Sequence, residues 1–132
     1  MREEELDRLK KLRREMPLIE ETIKELRAQA ERMTTMLDGL PRTNTMVSSL
    51  EASVVKLMSR AEELQRKQME YYALKMVLAT ELYALEPIEE SVMSMRYLQG
   101  KGYKEIAKLL GCSVTNVFRL HRLARKKIIT SE

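Results

Sequence analysis

A single cysteine among 132 residues excludes an internal disulfide framework and suits a reducing compartment. One histidine, His121, and that one cysteine, Cys112, are too few to furnish a structural zinc site. Glycine and proline are scarce, at four and three, and 33% of the residues are charged, which predicts a mostly helical chain. No uninterrupted apolar run approaches the ~20 residues of a membrane span. The opening MREEELDRLKK lacks the apolar core of a signal peptide. A soluble, cytoplasmic protein without membrane contact is expected. No nucleophile and base pair, glycine-rich phosphate loop or carboxylate cluster stands in a pocket-like context, so neither an enzyme nor a bound cofactor or metal is expected.

The positive charge is unevenly placed. Residues 1–85 hold 15 basic and 15 acidic side chains, whereas residues 86–132 hold 9 and 5, so the whole surplus of +4 lies in the last third. That surplus points to a polyanionic partner for this part of the chain. Within it, Gly102 to Ile128 reads as a helix-turn-helix. A helix over 103–110 buries Ile106, Ala107 and Leu110 on one face, and a second over 113–128 buries Val117, Leu120, Ala124 and Ile128. Between them Gly111 suits the positive φ of a sharp turn, and Ser113 is a natural N-cap. Cys112, in the turn, reads as a small packing residue.

At 100° per residue, Thr115, Arg119, Arg122 and Lys126 share one narrow arc opposite the apolar stripe, with Phe118 and Arg125 at its edge. Such a helix fits the major groove of double-stranded DNA. Thr115, Asn116, Phe118, Arg119 and Arg122 would sample base edges, while Arg125, Lys126 and Lys104 anchor phosphates. Ser113 completes the candidate set at the helix start. His121 lies on the border of the apolar and basic faces and reads as a packed, hydrogen-bonded or phosphate-facing residue.

The run Leu85-x-Pro87-x-Glu89-x-x-Val92-Met93-x-x-Arg96-Tyr97, followed by Gly102 through Ser113, resembles region 4 of bacterial sigma factors, which binds the promoter −35 element. Val117 to Ala124, VFRLHRLA, is closer to the small phage-encoded late transcriptional regulators of the RinA and ArpU type, whose long helical N-terminal half is loosely similar to Leu26–Ala30 and Leu50–Leu57. The resemblance covers about residues 85–128. It implies transcriptional regulation of phage or mobile-element genes and, through region 4's role, contact with RNA polymerase. Primary sigma factors usually carry Arg-Glu after the cap where this chain has Val114 and Thr115, so a site other than the usual −35 hexamer is expected.

The first segment repeats apolar residues at spacings of three and four: Leu9, Leu12, Met16, Ile19, Ile23, Leu26, Ala30, Met33 and Leu37. This narrow seam is coiled-coil-like and requires a partner helix. Pro17 interrupts it at a cost of about 3 kcal/mol in a helix interior, predicting a kink or a break that leaves residues 1–15 as a separate arm. The stretch 38–45, DGLPRTNT, is the predicted loop, with Ser48 and Glu51 offering a capping box near the next helix start and Asn44 or Thr45 an earlier one. The second long helix is expected to run to about Leu85. Its early seam is Leu50, Val54, Leu57, Ala61 and Leu64; from Met69 a second stripe (Tyr72, Met76, Ala79, Tyr83) predicts contact with more than one neighbour. Glu86-Pro87 starts a helix over about 87–99.

The expected fold is all-α: a long antiparallel helical hairpin or coiled coil over residues 1–85, then a three-helix, region 4-like helix-turn-helix domain over 86–132. Two arrangements satisfy the seam, a homodimer paired through the long helices and a monomeric hairpin. Two functions of different class remain: sequence-specific duplex binding by a transcriptional regulator, and a coiled-coil assembly or adaptor protein whose basic helix associates with nucleic acid non-specifically.

Overall fold

A computed structural model describes residues 1–129. Its elements are α1 (Glu3–Asp38), α2 (Val47–Leu82), α3 (Pro87–Met93) continued by a π turn (Ser94–Leu98), α4 (Tyr103–Leu110) and α5 (Val114–Ile128). No strand occurs among the described residues, so the all-α reading holds. The chain divides into two compact units, Met16–Met69 and a second that joins Met1–Glu15 to the chain from Glu70 onward.

In the Met16–Met69 unit, two helical arms run antiparallel, linked by a turn in which the Asn44 side chain accepts from the Met46 amide at 2.8 Å. Ser48 therefore lies in the first turn of α2 instead of ahead of it. Met16, Ile19, Ala30, Ala61 and Leu64 are buried, and Ile23, Leu26, Leu50, Val54 and Leu57 are half-buried, as a narrow seam requires. Arg27 donates to the Gln65 side chain at 2.7 Å across the arms.

Of the kink or break expected at Pro17, the break does not occur. α1 runs through it without interruption. The proline is exposed, so water can reach the carbonyl its missing N–H leaves unpaired, and burial of Leu12, Met16 and Ile19 around it offsets the lost bond.

Residues 1–15 are likewise not a separate arm. Leu6, Leu9 and Leu12 are wholly buried in the second unit. Arg8 holds Glu70 through paired bonds of 2.8 and 3.0 Å. Arg13 donates to the Gln99 carbonyl at 2.6 Å, and its guanidinium fills the space a side chain at Gly100 would need. With φ at +70°, Gly100 is thus required both by its backbone and by that approach. On the α2 side, Tyr71, Leu78 and Leu82 are buried and Leu85 follows in the turn. A three-helix motif too small for a generous core is completed by these helix ends, so the compact unit starts well before the Glu86 boundary drawn from sequence.

The second apolar stripe of α2 does not enter the core. Met69, Tyr72, Met76 and Tyr83 are exposed, Met76 at 72% and Tyr83 at 86%. A helix packed through Tyr71, Leu78 and Leu82 turns residues about 100° away toward solvent. α3 also differs from a uniform helix over 87–99, because its last turn widens, with the Gln99 amide reaching back to the Ser94 carbonyl at 3.0 Å. Among the described residues no helix is long and apolar enough to cross a membrane.

Candidate nucleic-acid interface

α4 and α5 pack through Val92, Ile106, Ala107, Val117 and Leu120, with Leu110, Cys112 and Val114 partly buried against them. The turn is built as the residues demand. Gly111 adopts φ +68°, ψ 35°, and the Cys112 amide closes onto the Ala107 carbonyl at 3.0 Å, a Schellman-type end. Ser113 Oγ accepts from the Asn116 amide at 3.1 Å and caps α5. A Cβ at Gly111 would meet no atom, so the constraint there is backbone strain alone. Gly111→Val is expected to lose about 1–3 kcal/mol, read as a lowered denaturation midpoint. An unchanged midpoint would show that the left-handed turn is not needed.

Burying Val117, Leu120, Ala124 and Ile128 turns the opposite side of α5 outward. Thr115, Arg119, Arg122 and Lys126 are all exposed, as is Lys104 on α4. Arg119 is braced by the Asn116 side chain, donating to its oxygen through Nε at 3.0 Å and Nη2 at 2.7 Å. That contact presents the guanidinium in a fixed direction and leaves the Asn116 amide protons for other acceptors. Phe118 rests on Tyr103, ring centres 4.5 Å apart, yet remains 45% exposed. It serves as an internal contact and keeps a free edge. Thr115, Phe118, Arg122, Arg125 and Lys126 line an open groove of about 760 Å³, whose lip includes Glu3.

Arg125 departs from a simple solvated cation. It is half-buried, donating from Nη1 to Tyr97 Oη at 3.0 Å and from Nη2 to Glu3 Oε1 at 2.8 Å. Since Tyr97 accepts from Arg125, its single proton is available for His121 Nε2, 2.8 Å away, which places the imidazole proton on Nδ1. Arg96 lies over the Tyr103 ring at 4.3 Å and donates to the Lys101 carbonyl at 3.2 Å. Lys127, outside the arc, pairs with the buried Glu89 at 2.6 Å. The contacts of Tyr97 with His121 and of Arg125 with Tyr97 and Glu3 were not evident from sequence, since these pairs are 24 to 122 positions apart.

Burial, and then the charges of Arg125, Arg96 and Lys10, push His121 down to about 4. Tyr97 stacks on its ring and Tyr103 meets it edge-on. The unfolded chain binds this proton near pH 6.5 while the folded one refuses it, so stability falls as pH drops from about 6.5 toward 4. Between pH 6.5 and 5, ahead of most carboxylate titration, the melting temperature is expected to fall, and His121→Gln to flatten that slope. Identical slopes in both proteins would show that His121 does not carry the effect.

Residues 75–128 match the family model of Sigma-70, region 4. The helix-turn-helix is a sigma region 4-like module. The match begins at Lys75, inside the last turns of α2, in keeping with the compact unit that includes them. No curated protein and no solved structure gives a significant match. A region 4-like module is a DNA-binding regulatory element, and the exposed cationic side of α5 agrees with that role.

Proposed function

We propose that the protein is a sequence-specific, double-stranded DNA-binding transcriptional regulator that reads the major groove with α5. One observation carries the reading: α5 buries its apolar stripe and leaves Thr115, Arg119, Arg122 and Lys126 exposed along the opposite side. Its 15 residues span about 22 Å, and a helix of this kind enters a groove about 12 Å wide. In this reading Asn116, Arg119 and Arg122, with Thr115 and Phe118, meet base edges. Lys126, Arg125, Lys104 and the Ser113 end of the helix meet phosphates. The DNA-binding domain is the part from residue 86, supported by the helix ends of residues 1–85.

The likeness to RinA and ArpU type regulators supports activation of phage or mobile-element genes in the cytoplasm, with RNA polymerase as a protein partner. The stripe of Met69, Tyr72, Met76 and Tyr83 lies exposed at spacings of three, four and seven. This spacing suits a second copy of α2 and supports a homodimer through the long helices; sedimentation as a monomer at micromolar concentration would remove that element.

Selection from a random duplex library with the full chain separates this reading from a non-specific adaptor. Enrichment of a short consensus is expected. Uniform recovery of the library would favour the adaptor.

A further inference from the structure

The groove that the proposed function presents to DNA is not purely cationic. Its lip carries Glu3, from the first turn of a helix more than 70 residues outside the segment that matches region 4. Glu3 is 64% exposed at its side chain, and Arg125, its partner at 2.8 Å, is 23% exposed. The neighbouring acids are placed differently. Glu5 is engaged by Arg2, just ahead of α1, at 3.2 Å, and Glu4 is exposed and does not line the groove.

A carboxylate and a phosphate make the same demand on a guanidinium: oxygens set against its N–H fork. Tyr97 occupies Arg125 on the Nη1 side and Glu3 occupies Nη2. A phosphate arriving at this end of α5 must displace the Glu3 carboxylate or settle beside its negative charge. Tyr97 meanwhile keeps the guanidinium from swinging away.

We propose that Glu3 sets the DNA affinity of this interface by competing with a duplex phosphate for Arg125. The inference rests on the reading of the groove as a DNA surface. It makes the N-terminal turn of α1 a part of that surface, acting as a negative determinant. Glutamine at this position keeps an oxygen for Arg125 and removes the charge, so the contact survives while the competition weakens.

The test compares the full chain with Glu3→Gln, Glu4→Gln, Arg125→Gln and the Glu3→Gln/Arg125→Gln double variant on a mixed-sequence duplex over a salt series, alongside thermal melting. Glu3→Gln is expected to tighten binding roughly three- to tenfold at low salt and to steepen the log-log salt slope by about 0.9, one further phosphate contact. Its melting temperature should not rise. Glu4→Gln is expected to leave affinity within about twofold, as for an exposed charge outside the groove, and the Glu3→Gln gain should vanish in the Arg125→Gln background. An unchanged or weaker Glu3→Gln, an equal gain from Glu4→Gln, or a gain that persists without Arg125 would each overturn the proposal. If the parent chain binds duplex through Arg122 while Glu3→Gln gains nothing, this inference alone falls. If no variant binds duplex, the DNA reading falls with it.

Discussion

Replacing Arg122 with alanine is expected to weaken binding to a selected duplex by about 1 to 3 kcal/mol, roughly five- to 150-fold, and binding to random duplex far less. Arg122 is exposed on the outward face of α5, one turn beyond Phe118, and lines the groove. From there a guanidinium can address a guanine edge through two parallel bonds, and only a matching base accepts both. Lys126, a further turn along, is expected to act as a point charge. Lys126→Ala should weaken selected and random duplexes alike and flatten the salt slope by about 0.9. Equal losses for both variants on both duplexes, measured by fluorescence anisotropy, would remove this division of labour.

The largest effect on stability is expected from Leu9→Ala. Leu9 is 0% exposed and belongs to the compact unit that contains the helix-turn-helix. Deleting a wholly buried leucine side chain costs about 2–5 kcal/mol, through lost transfer free energy and the cavity left behind. Its sequence position, more than 90 residues before α4, is irrelevant to that cost. Duplex affinity should fall with it as temperature approaches the lowered midpoint, because the unit that melts is the one that presents α5. A destabilisation under about 1 kcal/mol in urea denaturation would mean that the N-terminal turns do not support the module.

Much of the motif was legible because its determinants are local. Gly111, Ser113 and the apolar spacing of α4 and α5 lie within 26 residues of one another, and each encodes one geometric requirement: a positive φ, a cap, a buried stripe. The hairpin turn was legible for the same reason, Gly39, Pro41 and Asn44 falling between two periodic runs. Pro17 does not end α1, because its local penalty is offset by the burial of the leucines and Met16 around it. The α2 stripe is exposed within the chain, because periodicity reports which residues share a side of a helix, not what covers that side.

The contacts that shape the groove lay beyond reach for a different reason. Nothing near Glu3 in sequence distinguishes it from Glu4 or Glu5, yet only the helix register brings it to Arg125. Tyr97 reaches His121 and Arg125 from a π turn, and no periodicity in residues 87–99 announces one. Both are long-range pairings, fixed by how the helices pack. The direction of Arg119, set by Asn116 three residues earlier, is by contrast a contact that helical spacing suggests, as it does the exposed arc itself.

Titration of the full, isotopically labelled chain with the selected duplex, followed through its amide and arginine side-chain NMR signals, addresses the reading face directly. The largest shifts should fall on Thr115, Asn116, Arg119 and Arg122, with the interior-facing Val117, Leu120 and Ala124 moving little. Perturbations confined to α1 and α2, with the α5 signals unmoved at saturation, would contradict the assignment of α5 as the DNA-reading helix.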